Sequence, residues 1–161
     1  MIVLGIDPGL AKMGYGIVKF KKDRISLIKA GCLKTSSKTQ FGERLKTIYQ
    51  EIKKIIKKYK PNFIALEEVF FAKNVKTAFK IGQVIGIAML AAQERKIPVF
   101  QITPLQAKMA LTGYGRSSKK QIQKVVQLLL NLKNLPKPKD TSDALALAIC
   151  GIKIASKNYE I

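Results

Sequence analysis

The sequence predicts an α/β fold, a mixed five-stranded sheet flanked by helices, in one domain spanning residues 1–161. Three observations predict it. Two short apolar runs, Ile2 to Ile6 and Phe63 to Leu66, have the continuous hydrophobicity of strands buried on both faces. A long amphipathic stretch lies between them, as a crossover between parallel strands requires. The region from Gly14 to Leu33 alternates around a polar turn and reads as an antiparallel meander.

The first strand ends in Asp7-Pro8-Gly9, a carboxylate on a turn. Gly14 to Phe20 is the second strand, Lys21-Lys22-Asp23-Arg24 the turn, and Ile25 to Leu33 the third. From Phe41 to Tyr59 the apolar residues Phe41, Leu45, Ile48, Tyr49, Ile52, Ile55, Ile56 and Tyr59 recur by threes and fours, which predicts an amphipathic helix. Pro61-Asn62 stops it, and the fourth strand, Phe63 to Leu66, ends in Glu67-Glu68. A right-handed crossover lays the first and fourth strands parallel and puts Asp7 and Glu67 at one edge of the sheet. A helical stretch then runs to about Ala92; its second half, Val84 to Ala92, is apolar on nearly all sides and must be buried by the domain or by a partner subunit. Pro98 to Ile102 is the fifth strand, and Thr103 caps a short helix from Pro104 to about Leu111. Ser118 and Gln121 form a capping box for another helix. The last helix opens at Asp140-Thr141-Ser142-Asp143.

Composition points to a polyanionic partner. Thirty Lys and Arg against ten Asp and Glu give a formal charge of +20, a field that attracts phosphate and releases counterions on binding. A solvated lysine-rich surface is the competing explanation. Only Arg24, Arg44, Arg95 and Arg116 are arginines, so most of the charge suits backbone contact better than base reading. Two cysteines in apolar contexts and no histidine argue for a reducing compartment and against zinc. No uninterrupted apolar run reaches the roughly 18 residues of a membrane span, and the N-terminus lacks the pattern of a signal peptide. A cytoplasmic location without membrane attachment is expected.

Five of the ten acids, Asp7, Glu67, Glu68, Asp140 and Asp143, border apolar segments where solvation is poor. Asp140 and Asp143 are three apart and project to one side of a helix. Turn formation, strand termination and helix capping are competing roles for each acid taken singly. Taken together, Asp7, Glu67, Asp140 and Asp143 would form a cluster that cannot stay ionised without a cation. Oxygen donors without His or Cys select Mg2+, with Mn2+ as substitute. Two such ions roughly 4 Å apart activate a water and stabilise the leaving oxygen in phosphodiester hydrolysis.

The chain resembles the RuvC family of Holliday junction resolvases, endonucleases of the RNase H-like fold. The resemblance is carried by Gly5-Ile6-Asp7-Pro8-Gly9 with Gly14-Tyr15-Gly16, by Ala65-Leu66-Glu67 through Ala72-Lys73-Asn74, and by Asp140 with Asp143-Ala144-Leu145-Ala146. It implies metal ligation by Asp7, Glu67, Asp140 and Asp143, and paired nicks in four-way DNA junctions by a homodimer. Glu68 stands where the family more often has Gln, which makes it a possible extra ligand. Phe70 matches an aromatic that stacks on an unpaired base; core packing is its competing role, and Phe71 is the other candidate for the packed ring. Lys108 and Lys119 match basic positions that support cleavage, and the loop from Gly113 to Lys119, with Arg116 and Lys120, would lie on phosphates together with Lys73. The resemblance also implies partnership with the RuvA and RuvB branch-migration proteins. A YqgF-like nuclease acting on RNA and a non-catalytic junction-binding module are the alternatives; an actin-like ATPase needs two lobes that 161 residues cannot supply.

Overall fold

A computed structural model describes residues 1–68 and 75–158. Five strands form one sheet in the order β3-β2-β1-β4-β5. β1 (Ile2–Asp7), β2 (Lys12–Lys21) and β3 (Arg24–Lys34) make the expected antiparallel meander. Helix α1 (Phe41–Tyr59) spans the predicted residues and buries Ile48, Ile52, Ile55 and Ile56 along one stripe. It delivers β4 (Phe63–Glu67) parallel to β1, with Ile6 opposite Leu66, so that Asp7 and Glu67 follow as neighbours at one strand end. β5 (Val99–Ile102) continues the parallel half beside β4.

Strand alternation sends side chains to two separate cores. On one face Leu4, Ile6, Ile17, Ile64 and Leu66 pack with α1 and with α2 (Val75–Gln93). On the other, Val3, Val18, Phe63, Ala65 and Ile102 pack with α3 (Pro104–Thr112), α4 (Lys119–Leu129) and α5 (Lys139–Asn158). α5 is buried almost continuously from Thr141 to Ile152, with the half-exposed Asp143 as the interruption.

Of the two covers expected for helix α2, the domain supplies only part. Only Val84, Ala88, Ala91 and Ala92 are buried, whereas Val75, Phe79 and Leu90 are exposed. The reason is positional: α2 packs beside α1 at the margin of its face, so only one stripe meets the core. By length and composition alone α2 is long and apolar enough to cross a membrane, a property it shares with helices that pack in protein interiors.

Candidate active site

The opening strand carries the site because its neighbours let a helix lie directly on it. A Cβ on Gly5 would stand 2.0 Å from the carbonyl oxygen of Ala144, and one on Gly14 would stand 2.0 Å from that of Asp140. Both glycines are therefore required by contact: any side chain would lift α5 off the sheet. Gly14 is the partner of Asp7 in the β1–β2 ladder, so this seat brings the first turn of α5 beside Asp7. The glycines formed part of the sequence motif, but their use as a seat was missed. The signal available was the small pair Ala144 and Ala148, one turn apart and both facing Gly5.

Asp7, Glu67 and Asp143 line one cavity of about 270 Å³ with Lys108 and Lys119, over a floor that includes Ala107, Ile122, Ala146 and Leu147. Burial, followed by the charges of Glu67 and Asp143, pushes the Asp7 carboxyl up to about 8. Glu67 is also raised, mainly by burial, although its hydrogen bond with Asp7 opposes the rise. Near neutrality Asp7 thus keeps its proton and donates a hydrogen bond to the Glu67 carboxylate. Lys119 forms an ion pair and hydrogen bond with Oδ2 of Asp143.

Asp140 lies outside the lining of the cavity, though its charge still reaches Asp7. It sits within the first turn of α5, one residue after the helix start, and its backbone abuts Gly14. Among the described residues no three Asp, Glu or Cys side chains form a ready cage for a cation. Asp7 is hydrogen-bonded to Glu67 and Asp143 is paired with Lys119, so the acids face these partners and not a common centre. The donors nonetheless fit a hard divalent cation: all are carboxylate oxygens, and they adjoin an accessible cavity. Glu68 is half-buried and does not line the cavity; its amide donates to the carbonyl of Ile102.

The basic residues surround this opening to different degrees. Lys108 on α3 and Lys119 at the start of α4 line it, while Arg116 and Lys120 are exposed beside them. The intervening turn is held by Thr112, whose Oγ1 donates to the Lys108 carbonyl at 2.7 Å and lies 2.7 Å from Oγ of buried Ser117. The capping box occurs as expected, and it engages the amides of Ser118 and Gln121. Those two amides are consequently not donors for a phosphate, which narrows the expected anion site at this helix start. Phe70, Phe71 and Lys73 lie outside the described residues.

Residues 3–151 match the family described as crossover junction endodeoxyribonuclease RuvC. The chain belongs to the RuvC family. The family's crossover junction endodeoxyribonuclease from Alkaliphilus oremlandii is 50% identical over 150 residues, which is 93% of this chain and 92% of that protein. The structure of RuvC from Thermus thermophilus superposes with a TM-score of 0.93 at 32% identity, covering 98% of this chain and 97% of that one. RuvC from the same organism in complex with a Holliday junction substrate gives 0.95 at 33% identity, covering 98% and 96%. The expected RNase H-like α/β fold is thereby established, and RuvC family membership favours the resolvase reading over the YqgF-like one.

Proposed function

We propose that this chain is a metal-dependent endonuclease that resolves four-way DNA junctions by paired nicks in recombination and repair. The observation that carries the reading is the meeting of Asp7, Glu67 and Asp143 with Lys108 and Lys119 in one cavity at the strand ends. Acids beside lysines suit a site that must hold both cations and a phosphodiester. Asp7, Glu67, Asp140 and Asp143 are the cation ligands, for two Mg2+ ions or Mn2+ in their place, with Glu68 as a possible further donor. Cations bound there would supply Lewis acidity toward water and neutralise charge at the leaving oxygen.

The protein's own residues do the rest. Lys108, Lys119, Lys120 and Arg116, with Lys73, hold the backbone phosphates, and Phe70 stacks on an unpaired base at the crossover. In the cation-free state Glu67 accepts a hydrogen bond from protonated Asp7, and loading a cation requires that proton to leave. A homodimer matches the two-fold symmetry of a junction, and the exposed apolar side of α2 is the surface we assign to it. Cooperation with RuvA and RuvB in the cytoplasm completes the reading.

The decisive experiment compares a synthetic four-way junction with a linear duplex of the same sequence, each with Mg2+ or with EDTA. Cleavage of the junction alone, and only with Mg2+, is expected. Equal cleavage of both substrates would remove junction specificity while leaving a nuclease; full activity in Asp7→Asn would remove Asp7 from the site.

A further inference from the structure

The ion pair between Lys119 and Asp143 neutralises a carboxylate, and it also occupies it. Lys119 is the first residue of α4, and its ammonium reaches Oδ2 of Asp143 on α5. Both side chains retain access to water, at 56% and 30% exposure, so the contact can exchange without opening the core. The helix start that bears Lys119 is anchored by the Ser118–Gln121 capping box, and the turn before it is held by the Thr112–Ser117 contact. Release of the ammonium therefore needs rotation of one flexible side chain and no movement of α4. Lys108 lines the same cavity, but among the described residues Lys119 is the cavity lysine in an ion pair with a carboxylate.

We infer that Lys119 is an internal counter-ion that holds Asp143 until a divalent cation is taken up, and is then free to contact a DNA phosphate. The inference rests on reading Asp143 as a cation ligand. A carboxylate oxygen that accepts from an ammonium has less capacity to donate to a metal, and the ammonium charge repels an incoming cation. Once released, Lys119 keeps three donors and a full charge at the rim of the cavity, where phosphate arrives. Cation and DNA both favour the unpaired lysine, so each ligand strengthens binding of the other. Lys119 is in this sense a positioning residue as well as a phosphate contact: it couples loading of the site to engagement of substrate.

The test is calorimetric titration of the DNA-free, full-length protein with Mn2+, comparing wild type, Lys119→Gln, Lys119→Arg and Lys108→Gln. Lys119→Gln should bind Mn2+ about three- to tenfold more tightly than wild type, and Lys108→Gln, which removes the same charge from the same cavity, should differ by less than about twofold. Lys119→Arg keeps a cation for Asp143 and should bind like wild type. Circular dichroism of each variant verifies folding, which the exposure of Lys119 does not put at risk. Equal tightening in the two Gln variants would mean that the cation senses only net charge, and unchanged affinity in Lys119→Gln would mean that the pair does not compete; either overturns the inference while the cation site stands. Failure of wild type and all variants to take up Mn2+ would overturn the cation-site reading and this inference with it.

Discussion

Helices α2 and α5 are nearly equal in length, 19 and 20 residues, and both contain long runs of Ala, Ile and Leu, yet the fold treats them differently. α5 lies on the sheet with α3 and α4 packed against it and is covered over most of three turns. α2 stands at the edge of the opposite face and leaves Phe79 at 71% and Leu90 at 55% exposure. Hydrophobicity states that a surface should be covered; it does not state by what. For α5 the answer is intramolecular, because Gly5 and Gly14 let its backbone touch the strands. For α2 the answer proposed above is a second copy of the chain. The consequence for function is a division of labour: α5 places Asp140 and Asp143 near Asp7, and in the proposed dimer α2 would pair two such sites.

The largest effect is expected at the core of α5. Leu145 is fully buried against the sheet, and Leu145→Ala should cost about 2–5 kcal/mol in urea unfolding, by lost burial and a residual cavity. A value near zero would mean that α5 does not have the central position assigned to it. Gly14→Ala tests the seat more locally. Its Cβ would overlap the Asp140 carbonyl, so a loss of about 1–3 kcal/mol is expected. Junction cleavage should fall by about 10²-fold through displacement of the acidic pair, measured at saturating Mg2+ in protein shown to be folded.

At the tip the expected sign reverses. The Asp7 carboxyl is raised by burial to about 8 from 3.8, so the folded protein binds a proton more tightly than the unfolded chain does. That contribution is complete below the unfolded value and is lost as pH rises through the folded one. The cation-free wild type should accordingly lose stability between about pH 4 and 8 from this group, and Asp7→Asn, which has no charge to bury, should be more stable than wild type at pH 8 by about 1–2 kcal/mol while cleaving no junctions. Thermal unfolding in EDTA at pH 5 and pH 8 measures this. A gap that narrows toward pH 8 would contradict the burial of Asp7.

The smallest effect on protomer stability is expected on the exposed side of α2. Phe79→Ser combined with Leu90→Ser should change it by no more than about 0.5 kcal/mol per site in monomer unfolding. Sedimentation should nevertheless show the mass of a single chain where wild type shows two. Retention of the dimer would move the pairing surface elsewhere and leave the exposed face of α2 without an assigned partner.

Much of the architecture was legible because it is periodic. The stripe of Ile48, Ile52, Ile55 and Ile56 repeats at helical spacing, and α1 occupies the predicted residues. The two apolar runs at the start of the chain and at Phe63 are too short for helices and too hydrophobic for edges, so a parallel pair followed from the crossover alone. The cap at Thr103 and the capping box at Ser118 are written in residue types favoured at those positions, and the structure completes a box at Thr103 with Gln106. What covers α2 was not legible, since composition describes what a helix carries and not which neighbours surround it.

For the site, the sequence by itself determined the candidate acids, the strand ends that bear two of them, and the basic character of the surface around them. Those are local properties of residue type and spacing. Tertiary structure decided which groups meet: Asp7 donating to Glu67, Lys119 holding Asp143, and Asp140 set against Gly14 outside the cavity lining. These contacts join residues 60, 24 and 126 positions apart, and their strength depends on burial and on distances of a few ångströms, quantities that exist only once the sheet and α5 have come together.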